Sequence, residues 1–150
     1  MAKVFRKLTV FLPRLRRGPY MRKPGEGEQG YVERYGKNFM LYTDTVERLR
    51  DAVNRFCEEH PELGSYYYQD TLKAAGIGEP FGTARRGDLG GYDEKTVFAL
   101  LLFLFRADHF TRGALRDELE HGSVQRLLRQ LRRLDRRRGR LRGRKPRRES

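Results

Sequence analysis

The chain of 150 residues carries 33 Lys and Arg against 20 Asp and Glu, a formal charge of +13, with 37% hydrophobic and 35% charged residues, which fits one polar-surfaced domain rather than two. A single cysteine, Cys57, excludes an internal disulfide and a multi-cysteine metal site. The longest apolar run, residues 97–105, would cross about half a bilayer core as a helix, and the basic, proline-interrupted residues 1–17 do not read as a signal peptide, so the expected compartment is the cytoplasm.

The first predicted helix covers residues 3–12, where Val4, Leu8, Phe11 and Leu12 share a face and Pro13 ends the pattern. Residues 16–30 read as a loop. The aromatic stretches 31–35 and 39–42 flank Gly36, Lys37 and Asn38 in the manner of a small β-hairpin. Asp44 and Glu47 then form a capping pair for a helix whose apolar stripe is Val46, Leu49, Val53, Phe56 and Cys57. A shorter helix over about 66–75 ends at Gly76, and six glycines with Pro80 within 76–92 predict a long irregular connection. Asp93 caps the most apolar helix, which runs from Glu94 to about Ala107 and is the expected buried centre. Thr111 and Gly122 bracket a short helix with Leu115 and Leu119. Ser123 caps the last one, with Val124, Leu127, Leu128, Leu131 and Leu134 inward and Arg126, Arg129, Arg133 and Arg137 outward. The expectation is therefore a mainly α fold: a compact bundle of five or six helices over residues 1–134 that admits one small β-hairpin, and a disordered Arg-rich tail over 135–150.

The location of the charge says more than its size. Residues 132–150 hold ten Arg and one Lys against Asp135 and Glu149, leaving only +4 for the rest of the chain. Arg136, Arg137, Arg138, Arg140, Arg142, Arg144, Lys145, Arg147 and Arg148 have the density to displace counterions from DNA or RNA, and the absence of aromatics among them points to backbone contact without base reading. An acidic protein surface, an anionic lipid surface or a merely solvated tail are the alternatives. The two helices around Gly122 read as a plain helical hairpin, because the turn is shorter than a helix-turn-helix connection.

Chemistry-bearing clusters are few. His60, His109 and His121 fall in separate segments without paired ligand spacing, so no metal or cofactor is expected. Arg106, Asp108 and His109 sit together and could line a pocket, although the plainer expectation places Phe110 in the core with the charged residues fixing a helix end. Cys57 reads as a small buried hydrophobe, and Tyr66, Tyr67 and Tyr68 as core or as stacking surface.

The pattern Leu8-x-x-Phe11-Leu12-Pro13, the Tyr42-x-Asp44 pair before a helix, and Arg106-x-Asp108-His109-Phe110-x-x-Gly113 followed by Gly122 and Leu127-Leu128-x-x-Leu131 resembles a family of small bacterial domains of unknown function. The resemblance implies a compact helical domain and carries no activity, cofactor or catalytic residue with it. The Gly-rich stretch near 76–92 and the Arg tail depart from the family pattern. The leading functional expectation is a non-enzymatic accessory or adaptor protein whose tail associates with nucleic acid without sequence specificity while the helical domain contacts a protein partner. A small enzyme or ligand-binding domain built on Arg106, Asp108 and His109 is the competing class. Self-association through Leu127, Leu134 and Leu141, spaced by sevens, is the third.

Overall fold

The computed structural model describes residues 4–143, with side chains through Arg138. The fold is mainly α with one small two-stranded sheet, and its helices are more numerous and shorter than expected. In chain order they are α1 (Arg6–Thr9), α2 (Leu12–Leu15), β1 (Met21–Arg22), α3 (Gln29–Tyr35), β2 (Leu41–Tyr42), α4 (Asp44–Glu59), α5 (Tyr68–Ala74), α6 (Pro80–Arg86), α7 (Glu94–Arg106), α8 (Ala114–His121) and α9 (Ser123–Gly143). Among the described residues no helix is long and apolar enough to cross a membrane.

Helix α7 is the buried centre, as its all-round apolar character predicts: Val97 to Leu102, Leu104 and Phe105 are all buried, and α5, α6, α8 and α9 pack around it. Its start is fixed by Asp93, whose carboxylate accepts the Thr96 N–H at 2.9 Å. Those bonds to Thr96 hold the Asp93 carboxyl below its ordinary value, so its contribution to stability is present above that value and is lost as pH falls through the folded one. Asp93→Ala is expected to cost about 1 kcal/mol in urea denaturation at neutral pH, with the gap to wild type closing on acidification. At the same end of α7, the rings of Phe5, Phe56 and Phe98 meet, with centroids 5.1 Å apart for Phe56–Phe98 and 5.2 Å for Phe5–Phe56. This cluster joins the segment before α1 to α4 and α7.

Several expectations are corrected. Pro13 does not end the first helical segment; it occupies the first turn of α2, where its missing N–H costs nothing, so the segment continues to Leu15. The expected hairpin does not form between 31–35 and 39–42. Tyr31 and Tyr35 lie on α3, and β2 instead pairs antiparallel with β1 in the predicted loop, Met21 opposite Tyr42 and Arg22 opposite Leu41. Asp44 is the first residue of α4 rather than its cap, which is Thr43. Ser123 is likewise the first residue of α9, and its hydroxyl donates to the Glu118 carboxylate at 2.7 Å.

Residues 76–92 are not an irregular connection. They hold α6, because Arg126 of α9 donates to the carbonyls of Ala84 at 2.8 Å and of Thr83 and Gly87, covering the helix end that the glycines leave open. A side chain at position 87 would meet the Thr83 carbonyl oxygen at 2.8 Å, which accounts for glycine there. Nearby, Glu118 is 1% exposed and accepts from Arg85 and Ser123, a buried charge fully engaged.

Helix α9 runs on past the expected boundary at 134 to Gly143. Asp135 is buried and accepts the Phe5 N–H at 2.9 Å, and Arg138 is ion-paired with Glu94, so this part of the basic segment is anchored to the domain. Arg140 and Arg142 occupy positions on the same helix; Arg144, Lys145, Arg147 and Arg148 lie outside the described residues. Leu127 and Leu134 are buried in the domain's own core, which removes them from the heptad seam that their spacing suggested.

Candidate functional site

A hollow lies at the C-terminal end of α7. Four short elements converge there: β2 with the loop before it, the first turns of α4, the single 3-10 turn Ala107–His109 that follows α7, and the start of α8. The cleft encloses about 890 Å³. Arg106, Asp108 and His109 all line it, so the structure brings the three sequence-marked residues to one cavity.

Asp108 organises the wall. Its Oδ1 accepts the Leu115 N–H at 2.9 Å, its Oδ2 accepts the Tyr42 hydroxyl at 2.6 Å, and Arg50 approaches Oδ2 at 3.4 Å. The Tyr42 oxygen in turn accepts the Arg116 N–H at 3.1 Å, and the Arg50 guanidinium lies 5.0 Å from the centre of the Tyr42 ring. Gly113 makes this possible by turning through a left-handed backbone conformation, φ +86°, that brings the start of α8 back onto Asp108. Burial, reinforced by the Asp108 carboxylate, pushes the Tyr42 phenol well above its ordinary value, so it stays protonated and keeps donating.

The charge of the lining is one-sided. Lys37, Arg50, Arg106, Arg112 and Arg116 face two acids, Asp108 and Glu47, and both acids are engaged, Glu47 by Arg50 at 3.5 Å. Part of the wall is aromatic. Tyr31, Tyr35 and Phe39 stack with near-parallel rings, 5.6 Å between Tyr31 and Phe39 and 4.8 Å between Tyr35 and Phe39. The Arg112 guanidinium covers Phe39 at 4.2 Å and Tyr35 at 4.7 Å. Phe110, expected in the core, is instead 80% exposed beside His109, because the 3-10 turn breaks the helical register that would have aimed it inward.

At the other end of α7, Arg129, Arg133, Arg136 and Arg137 form an exposed row on α9. The pairing of Arg138 with Glu94 places the Arg136–Arg137 end of that row near the start of α7, whereas the cleft lies at its end. Helix α7, with 13 residues, is about 20 Å long.

A family model covers residues 1–137. The chain belongs to the family of unknown function DUF6508. No curated protein and no solved structure matches it. The DUF6508 match contains the entire cleft and the exposed row from Arg129 to Arg137, and stops short of Arg138 and the rest of the basic segment. Of the other sequence-marked residues, Tyr68 is buried and lies under Arg106, with 5.7 Å from guanidinium to ring centre, while Tyr66 and Tyr67 are exposed. Cys57 is half-buried against the core, and burial pushes its thiol above the ordinary value, which agrees with an inert hydrophobe.

Arg50, Arg112 and Arg116 carry no mark in the sequence, and Tyr42 is marked only as part of the Tyr42-x-Asp44 pair. The Tyr42–Asp108 bond spans 66 residues and the Arg50–Asp108 contact 58, so no local pattern connects them. The usable signal was the Tyr42-x-Asp44 pair, which marks the strand end that carries Tyr42 into the cleft.

Proposed function

We propose that this domain is a non-enzymatic binding protein that receives an anionic ligand in the cleft between β2, α4 and α8. The observation that carries the reading is the surplus of cations around an open hollow whose two acids already have partners. Both oxygens of Asp108 are committed to holding Tyr42, Leu115 and Arg50, which suits a fixed wall better than a group that must exchange a proton. The expected compartment is the cytoplasm.

Calorimetric titration of the full chain with pyrophosphate tests the proposal. Arg112→Ala and Arg116→Ala are each expected to weaken binding by about tenfold or more, since a charge-assisted hydrogen bond contributes roughly 1.5–3 kcal/mol. No binding by the wild-type chain, or wild-type affinity in both variants, would overturn it.

A second reading is favoured by the row of exposed arginines on α9. Arg129, Arg133, Arg136 and Arg137 recur at helical spacing on a helix held by Asp135 and the Arg138–Glu94 pair, and with the following basic residues they would contact a nucleic-acid backbone without reading bases. The two readings use surfaces at opposite ends of α7 and are separable by substitution.

A further inference from the structure

We infer that the ligand of the cleft is single-stranded nucleic acid, its phosphates met by the arginines and its bases stacked on the aromatic rim. The inference rests on the proposal that the cleft binds anions and goes further by specifying which. A small phosphate or carboxylate would require only the cations. It gives no reason for the large aromatic side chains left open beside them: Tyr31 is 44% exposed, Tyr35 47% and Phe110 80%. Tyr35 lines the hollow together with Phe39, Tyr31 continues the same stack, and Phe110 follows the lining residue His109 in the chain. Planar rings and guanidinium groups interleaved along an open cationic groove are what an unpaired strand requires, because every base has a face to stack and every linkage a charge to neutralise. Arg112 combines both properties, since its guanidinium sits against the rings of Phe39 and Tyr35 and it lines the hollow with the other cations. A duplex hides its base faces and could use only the cations.

The test compares a labelled oligothymidylate of about twelve nucleotides with an abasic chain of the same length and charge, by fluorescence anisotropy with the full protein over a salt series. The intact strand is expected to bind more tightly than the abasic one by about fivefold or more, to be displaced by pyrophosphate, and to lose about fivefold to a hundredfold in Phe110→Ala. Phe110 is so exposed that this variant should fold normally, which circular dichroism checks, and Tyr35→Ala serves as the second rim variant. A triple change of Arg133, Arg136 and Arg137 to Ser, which leaves the cleft intact, should reduce affinity for both strands and preserve the difference between them. Equal binding of the two strands, failure of pyrophosphate to compete, or full affinity in both rim variants would overturn the inference. If pyrophosphate still binds the chain in an Arg112- and Arg116-dependent way, the anion reading survives that failure; if it does not, both fall.

Discussion

Phe98→Ala should destabilise the domain by about 3–5 kcal/mol, measured by urea denaturation at neutral pH. Phe98 is 1% exposed on the central helix and packs on Phe56 and Phe5, so its removal opens a cavity where α4, α7 and the segment before α1 join. Leu101 and Leu102 lie one turn further along α7 in the same close-packed core, so the cavity cannot be filled without moving side chains that are already buried. Against a total stability of roughly 5–15 kcal/mol for a domain of this size, the variant would be left near the edge of folding. A loss below about 1 kcal/mol would mean that the three rings do not form the junction described.

The second large effect is expected at Asp108, where two substitutions separate support from charge. Asp108→Ala leaves the Tyr42 hydroxyl, the Leu115 N–H and Arg50 without their acceptor, and about 2–3 kcal/mol of stability should be lost, the lower part of the range reflecting the access of water to a side chain that is 20% exposed. Asp108→Asn keeps one carbonyl acceptor, enough for the Leu115 N–H or the Tyr42 hydroxyl but not for both, while deleting a negative charge from a cationic hollow. It should therefore cost less stability and bind pyrophosphate more tightly than wild type, whereas the alanine variant, with Tyr42 and Arg50 released, should bind more weakly than the asparagine one. Thermal unfolding and calorimetry on the two proteins decide this; identical affinities would show that Asp108 neither positions the cleft nor sets its charge.

What could be read from the sequence follows from the range over which the forces act. Helix α7, its Asp93 cap and the inward leucines of α9 depend on spacings of three and four residues, and periodicity reveals them. Helix α6 depends on Arg126, some forty residues further on, which reaches back to cap a segment whose own glycines argue for coil. The aromatic run around Gly36 is ambiguous in the sequence for a related reason. Tyr31, Tyr35 and Phe39 satisfy one another by stacking, four residues apart on and after a short helix, and the same residues would have suited a strand equally well. In the cleft, Arg106, Asp108 and His109 could be found because they are neighbours in the chain. Their partners Tyr42 and Arg50 come from a distant strand and helix, and only the fold unites them.

The bond from the Phe5 N–H to Asp135, across 130 residues, has a consequence for synthesis. Phe5, Leu8, Leu12 and Leu15 are buried, with α1 and α2 packing on the last helix of the domain, so their final cover is made last. At translation rates of about 5–20 residues per second, the interval between the emergence of the two ends is roughly 6–26 s. During that time α1 can pack only on α4, and the face of the first two helices that α9 covers stays open until α9 leaves the exit tunnel.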